Sequence, residues 1–331
     1  MWERQTTAGS DRELKYGRTL EWAGRILLFG GPVLAMGVLA LVSVLFPSVQ
    51  EEGSRVGLLL LALAPVAFGV SVFLAFRLLH RGKQHAARAR AAGSELDSRP
   101  PVLYLRSFTT DEMVGGLFRR MMLQTGVWPW FFSVEEQLAE AVLPVGPLVA
   151  IGRPGEALPT PGAVRQYVPD GAWQGVVRER LAQARLVILR AGTSAGLAWE
   201  TAQAFTTVAP ERLLVLVLNA KRGDYVAFAR HLSEHVGVRL PDFRDVSRWR
   251  RASGFVELTG PAEARFVRLT APWLRVGVFM PFRDRFGHSL RSTFLRLGIG
   301  WHPLPYSKYK LLVLGLIAAA AVLLAVGLAT S

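Results

Sequence analysis

Cysteine is missing from all 331 residues. That excludes disulfides, thiol catalysis and every zinc or iron–sulfur site built on thiolates. Lysine is nearly missing, with five among the 39 basic residues, and asparagine occurs once, at Asn219. The chain also lacks a Walker A loop, a G-x-G-x-x-G fingerprint and a kinase signature set, the common ways of cradling phosphate with glycine and lysine. Charge is missing from three runs of 21 residues, Ile26–Phe46, Val56–Phe76 and Leu311–Ser331. At 1.5 Å per residue, such a run spans a hydrocarbon layer of about 30 Å as a helix.

The charges that are present are unevenly placed. Arg4, Arg12, Lys15, Arg18 and Arg25 precede the first run, and Arg77, Arg81, Lys83, Arg88 and Arg90 follow the second. The connection Pro47–Arg55 holds Glu51 and Glu52 against Arg55 alone. The positive-inside rule then predicts a multi-pass inner-membrane protein with a cytoplasmic N-terminus and an external C-terminus, in contact with the lipid bilayer. Lys308 and Lys310 set the same orientation for the third run. The Arg/Ala/Gly/Leu/Val bias points to a high-GC bacterial genome, so the membrane expected is the bacterial cell membrane. The expected organisation is a cytoplasmic segment at 1–25, two transmembrane helices at 26–46 and 56–76, a linker at 81–99, an α/β domain at 100–270, a basic aromatic juxtamembrane segment at 271–310 and a transmembrane helix at 311–331.

Between the ends, the pattern changes to alternating strands and helices. Val102–Leu105, Leu148–Ile151, Leu186–Leu189 and Leu213–Leu218 are continuous apolar runs of the kind buried on both faces of a parallel sheet. Ser133 and Glu136 form a capping box that opens a helix through about Leu143. Trp173, Val176, Val177, Leu181 and Ala184 make one apolar stripe, and Asp224–Val236 is a further amphipathic helix. Phe255–Leu258 and Phe266–Leu269 read as closing strands. The fold class expected is α/β, a doubly wound, mostly parallel flavodoxin-like sheet, together with the three transmembrane helices. Such a sheet binds its ligand beyond the carboxyl ends of its strands. The candidate site is therefore formed by the loops after Leu105, Ile151 and Leu189.

Gly192–Glu200 is the richest of these loops. A strand ends, a turn of small residues Gly192-Thr193-Ser194 follows, and Trp199-Glu200 lies in the first turns of the next helix. A carboxylate there can hold ribose hydroxyls, stabilise an oxocarbenium-like centre or act as a nucleophile. It can equally be an acid that favours a helix start, with Trp199 as a core residue. Arg106 and Ser107 end the first strand. Arg153 stands in the Gly/Pro-rich loop Gly152–Ala163, where a guanidinium would match phosphate oxygens.

Several of these features resemble TIR-like domains and the related nucleoside deoxyribosyltransferases. Ser107-Phe108 with Asp111 is similar to the "SF…D" pattern of the first TIR strand. The loop Gly152–Ala163, the helix near Trp173, the strand Leu186–Leu189 and the turn to Trp199-Glu200 follow the TIR order of elements. Gly192-Thr193 ahead of Glu200 also resembles the deoxyribosyltransferase turn. The chain departs from the pattern in the aromatic insertion Met113–Phe132 and in the spacing of Thr193–Ala198. The resemblance implies Glu200 as a catalytic residue that cleaves NAD at the nicotinamide–ribose bond. Position at the strand ends makes Arg106, Ser107, Arg153, Gly192, Thr193, Ser194 and Trp199 the candidate substrate-binding residues, and the resemblance implies NAD as substrate rather than cofactor, and self-assembly into a homo-oligomer. Its setting would be stress or antiphage signalling. The alternatives are a non-enzymatic scaffold that binds a nucleotide or a protein partner, and a nucleoside-processing transferase.

His231-Leu232-Ser233-Glu234-His235 matches H-x-x-E-H, but no third-ligand helix follows it, and no metal is expected. The segment at 261–310 carries nine Arg and Lys against Glu263 and Asp284, with aromatics throughout. Beside a charge-free run, that mixture points to a membrane interface rather than to nucleic acid.

Overall fold

The computed structural model describes residues 11–28, 30–31, 55–92, 97–107, 132–152, 161–169, 171–192, 194–258, 260, 263–272 and 282–305. The chain divides into two compact units, Met1–Ser94 and Glu95–Ser331.

In the first unit, helix α1 (residues 11–28) lies against helix α2 (Arg55–Ala92). Their backbones touch at glycines: a Cβ on Gly17 would stand 2.7 Å from the Gly82 carbonyl oxygen, and one on Gly24 2.8 Å from that of Ala75. His85 Nδ1 lies 2.6 Å from Glu13 Oε2 across the pair, and the Tyr16 ring meets the His85 ring edge-on. Among the described residues, no helix is long and apolar enough to cross a membrane. This overturns the expected three transmembrane helices and the multi-pass membrane architecture drawn from them. A span needs an apolar surface on every face. By contrast, α2 continues unbroken from Val56–Phe76 into Arg77, Arg81, Lys83, Arg88 and Arg90, and buries small residues such as Ala75, Ala86 and Ala89. Most of Ile26–Phe46 and all of Leu311–Ser331 lie outside the described residues.

The second unit is built on one eight-stranded mixed sheet. Its strands are β1 (Val102–Leu105), β2 (Leu148–Gly152), β3 (Val164–Tyr167), β4 (Leu186–Arg190), β5 (Leu213–Ala220), β6 (Ser247–Arg248), β7 (Arg251–Leu258) and β8 (Ala264–Arg268). The helices are α3 (Val134–Val142), α4 (Trp173–Gln183), α5 (Ala195–Thr207), α6 (Arg222–Val236), α7 (Phe243–Val246), α8 (Arg283–Ser289) and α9 (Arg291–Arg296). Five strands are parallel, in the order β3-β2-β1-β4-β5. β7 then pairs antiparallel with β5, and β6 and β8 share its far edge. The order differs from a flavodoxin-like 2-1-3-4-5 because β3 adds an outer strand beside β2. β3 begins where the sequence reading ended its loop.

Alternation of side chains divides the core into two layers. Leu103 and Leu105 of β1 face one way and pack with Val177, Leu181, Leu197 and Phe228 of α4, α5 and α6. Val102 and Tyr104 face the other way and pack with Leu138 and Val142 of α3. That second layer is completed by Phe282, Phe286, Leu290 and Phe294. The described part of the basic aromatic segment, residues 282–305, thus packs on the sheet, and the core of the α/β unit includes residues past 270. An amphipathic helix pair rich in Arg and Phe has the same composition in either role.

Polar contacts fix this helix pair in place. Gln137 of α3 is fully buried, and its side-chain carbonyl accepts from the backbone N–H groups of Phe282 (2.8 Å) and Arg283 (3.1 Å). It thereby caps α8 from a distant part of the chain. Glu257 of β7 is buried and accepts from Ser292 Oγ (2.6 Å) and Thr293 Oγ1 (2.8 Å), with Arg265 and Arg296 closing on it. Burial alone would raise its carboxyl. The hydrogen bonds from Arg265, Ser292 and Thr293 and the charge of Arg296 outweigh burial and hold it below the ordinary value. Stability from Glu257 is therefore present above the unfolded carboxylate value and is lost as pH falls through the folded one. Glu257→Gln should cost roughly 2 kcal/mol at pH 7, from its hydrogen bonds to charged groups. Urea unfolding should show this gap narrowing as the pH is lowered below the ordinary carboxylate value and the native carboxylate takes up a proton.

Candidate functional site

The two layers meet their topological switch at β1. The connection through α3 leads from β1 to β2 on one face, while α4 and α5 flank β4 on the other. β1 and β4 are hydrogen-bonded neighbours whose following segments depart to opposite faces, and this opens a crevice at their carboxyl ends. Arg106 and Ser107 leave β1 at this point, and Ala191 and Gly192 leave β4.

Arg106 is buried, and its Nε lies 2.9 Å from Glu135 Oε1. The other oxygen of Glu135 accepts from Arg165 Nη2 at 2.8 Å. Glu135 is in the first turn of α3, whose N-terminus is held by the capping box that the sequence predicts. Ser133 Oγ accepts from the Glu136 N–H at 3.0 Å, and Glu136 Oε2 accepts from the Ser133 N–H at 2.7 Å. Ser133 Oγ also donates to the Pro161 carbonyl at 2.6 Å. Gly162 follows with φ +134°, so close that an added Cβ would stand 2.4 Å from the Glu135 carbonyl carbon. Only glycine fits there, and the approach places β3 and its fully buried Arg165 against Glu135.

Two guanidiniums are thus buried against one carboxyl group. Breaking a buried ion pair by removing one partner costs roughly 3–5 kcal/mol. The charge of Arg106 acts on the acid singled out in the sequence. Glu200 is in the second turn of α5, on the face it shares with Leu197, Thr201 and Ala204, and it is 6% exposed. Burial pushes its carboxyl up to about 8, against the opposing pull of Arg106. No hydrogen bond from a described residue offsets that burial. At neutral pH the group is mostly protonated.

The other predicted residues take distinct places. Ser107 is buried, and a Cβ on Gly192 would stand 3.7 Å from its Cβ and 2.9 Å from Leu197 Cδ2, so the crevice floor accepts no side chain there. Ser194 is the N-cap of α5 in extended conformation, and its hydroxyl makes no capping bond. Trp199 packs edge-on against Trp173, with ring centroids 4.8 Å apart and the Arg178 guanidinium 5.3 Å from its own. Its ring joins α4 to α5, whereas Glu200 turns toward the sheet. Arg153, Thr193, Phe108, Asp111 and the insertion as far as residue 131 lie outside the described residues. His231 and His235 stack with ring centroids 4.3 Å apart, and among the described residues no group of three His, Asp or Glu side chains could hold a metal ion.

Glu135 and Arg165 were not singled out in the sequence. A second Glu in a capping box reads as a solvated helix-start acid, and Val164-Arg165-Gln166-Tyr167 reads as an edge segment with its Arg outward. Only the approach of β3 to α3 turns both residues inward.

The Glu200 carboxyl titrates at 4.5 in the unfolded chain and at about 8 in the fold. Between these values the folded protein binds more protons than the unfolded, so stability falls as pH rises and levels off above about 8. Glu200→Gln removes that slope. It should be more stable than the wild type by about 3 kcal/mol at pH 7 and nearly equal to it at pH 4.5. Chemical denaturation at the two pH values measures this difference. Loss of stability in the Gln variant at pH 7 would show that the carboxyl serves the fold.

No protein-family model matches the chain, and neither a curated protein nor a solved structure is significantly similar to it.

Proposed function

We propose that the crevice between β1 and β4 binds a nucleotide and that Glu200 acts on its N-glycosidic bond, with NAD as the substrate that the TIR-like resemblance implies. One observation carries the reading: an acid buried at the switch point, titrating near 8, beside the buried guanidinium of Arg106. A carboxyl maintained against its own desolvation is characteristic of sites that use the strain.

The chemistry follows from charge. The nicotinamide ring of NAD is a cation while bonded to ribose. Placed beside Glu200, it favours the carboxylate and draws the proton off. The C1′–N bond then breaks with its electron pair leaving on nicotinamide, which departs neutral. The carboxylate stabilises the oxocarbenium-like centre left at C1′. Water adds to C1′, and Glu200 takes its proton as general base. The products are nicotinamide, ADP-ribose and a proton. The Arg106 guanidinium is of the kind that pairs with phosphate or ribose oxygens.

Binding without turnover is the second reading, favoured by the burial of Ser107 together with Glu200. Nicotinamide release by the full-length protein, assayed at concentrations that promote self-association, separates the two. The first reading predicts release by wild type and loss of at least 100-fold in Glu200→Gln, with kcat/KM rising with pH to a plateau above about 8. Nucleotide binding with no release at any concentration would leave only the second.

A further inference from the structure

Three described non-glycine residues have positive φ: Asn219 (51°), Trp249 (56°) and Arg250 (62°). All three stand on one edge of the sheet. Asn219 is near the carboxyl end of β5, where the ladder to β7 shifts register. Its N–H donates to Ser253 Oγ at 2.9 Å, and its carbonyl accepts from Arg251 Nη1 at 3.1 Å. Trp249 and Arg250 form the two-residue loop between Arg248 of β6 and Arg251 of β7. Such loops demand positive φ at both positions and normally use Asn-Gly or Gly-Gly. A bulky aromatic and an Arg are strained there, and residues held in such backbone conformations cluster at functional sites.

The tip is also unusual in exposure and charge. Trp249 is 87% exposed, more than any other exposed large hydrophobic side chain among the described residues. Arg248 and Arg250 beside it are exposed. Arg285 of α8 lies close enough to Arg248 that burial, and then this second cation, hold its guanidinium below the ordinary value.

The topology places this tip with respect to the crevice. β7 runs antiparallel to β5 with Ala252 opposite Ala220, so the hairpin projects from the carboxyl edge of the parallel strands. That is the edge at which Arg106, Gly192 and Glu200 gather. β7 lies two strand spacings from β4, about 10 Å, within the reach of an extended dinucleotide. Indole faces stack nucleobases, and guanidiniums pair with phosphates.

We propose that the Trp249–Arg250 tip recognises the adenosine diphosphate half of a dinucleotide: the indole stacks the adenine, and Arg248 and Arg250 hold the phosphates. This rests on the N-glycosidic reading of the crevice, whose Glu200 would take the other half.

Calorimetric titration of the full-length protein with ADP, and separately with nicotinamide mononucleotide, tests the assignment. Trp249→Ala should weaken ADP at least tenfold, Trp249→Phe should retain most of the affinity, and neither should change the mononucleotide. Arg250→Gly relieves the backbone and should raise the melting temperature while weakening ADP severalfold. ADP bound equally by wild type and a folded Trp249→Ala would overturn the proposal, as would a wild type that binds the mononucleotide but not ADP. ADP bound through Trp249 by a protein that never releases nicotinamide would support the tip and sink the glycohydrolase reading alone. A single-stranded oligonucleotide held more tightly than ADP by the same residues would overturn the dinucleotide assignment.

Discussion

Glu135 is the carboxylate on which the crevice depends. It lies between two buried guanidiniums, Arg106 from the end of β1 and Arg165 from β3, and joins the first helix of the α/β unit to strands on both sides of β2. Without it, the positive charge on Arg106 and Arg165 would be buried with no shared anion, and the edge strand β3 would lose its polar tie to α3. A hydrophobic core could be packed here at less energetic risk, because buried ion pairs rarely add net stability. Here they stand at the end of β1, beside the crevice on which the proposed function rests.

Glu200 completes that electrostatic arrangement. The fold forces it to share a helix face with Leu197 and Ala204, so it loses solvent without gaining a hydrogen bond from a described residue. The nearest opposing influence is Arg106, already engaged by Glu135. An acid in this position reduces stability near neutral pH and can be relieved by a cationic group entering the crevice. The rest of the unit supplies stability elsewhere: Gln137 caps α8, Glu257 anchors α9, and the aromatic face of that helix pair fills the second core layer.

Much of the sheet was legible in the sequence because parallel strands buried on both faces leave unbroken apolar runs, as at Leu186–Leu189 and Leu213–Leu218. The capping box at Ser133 and Glu136 was legible because its chemistry is local. Val164–Tyr167 was not, since its burial pattern comes from a charged residue whose partner lies 30 positions away. The segment around Phe282–Phe294 was misread because composition does not distinguish a bilayer interface from the face of a sheet. The charge-free run Val56–Phe76 misled for a related reason: its length and apolarity say nothing of a helix continuing into a charged, tightly packed partner contact, as α2 does against α1. Glu200 was singled out from topology together with the TIR-like resemblance, and it is buried in the second turn of α5. The hairpin tip at Trp249 went unnoticed because the sequence gives no turn signal there, and that absence is itself the strain.

The central claim concerns the protonation of a single carboxyl. Carbon-13-edited NMR or difference infrared spectroscopy of the full-length protein, with Glu200→Gln as the reference, can follow that carboxyl through a pH titration. The account predicts a midpoint near 8 in the free protein, and a downward shift when a cationic nicotinamide riboside unit is added. A midpoint at the ordinary carboxylate value, or one indifferent to that cation, would contradict it.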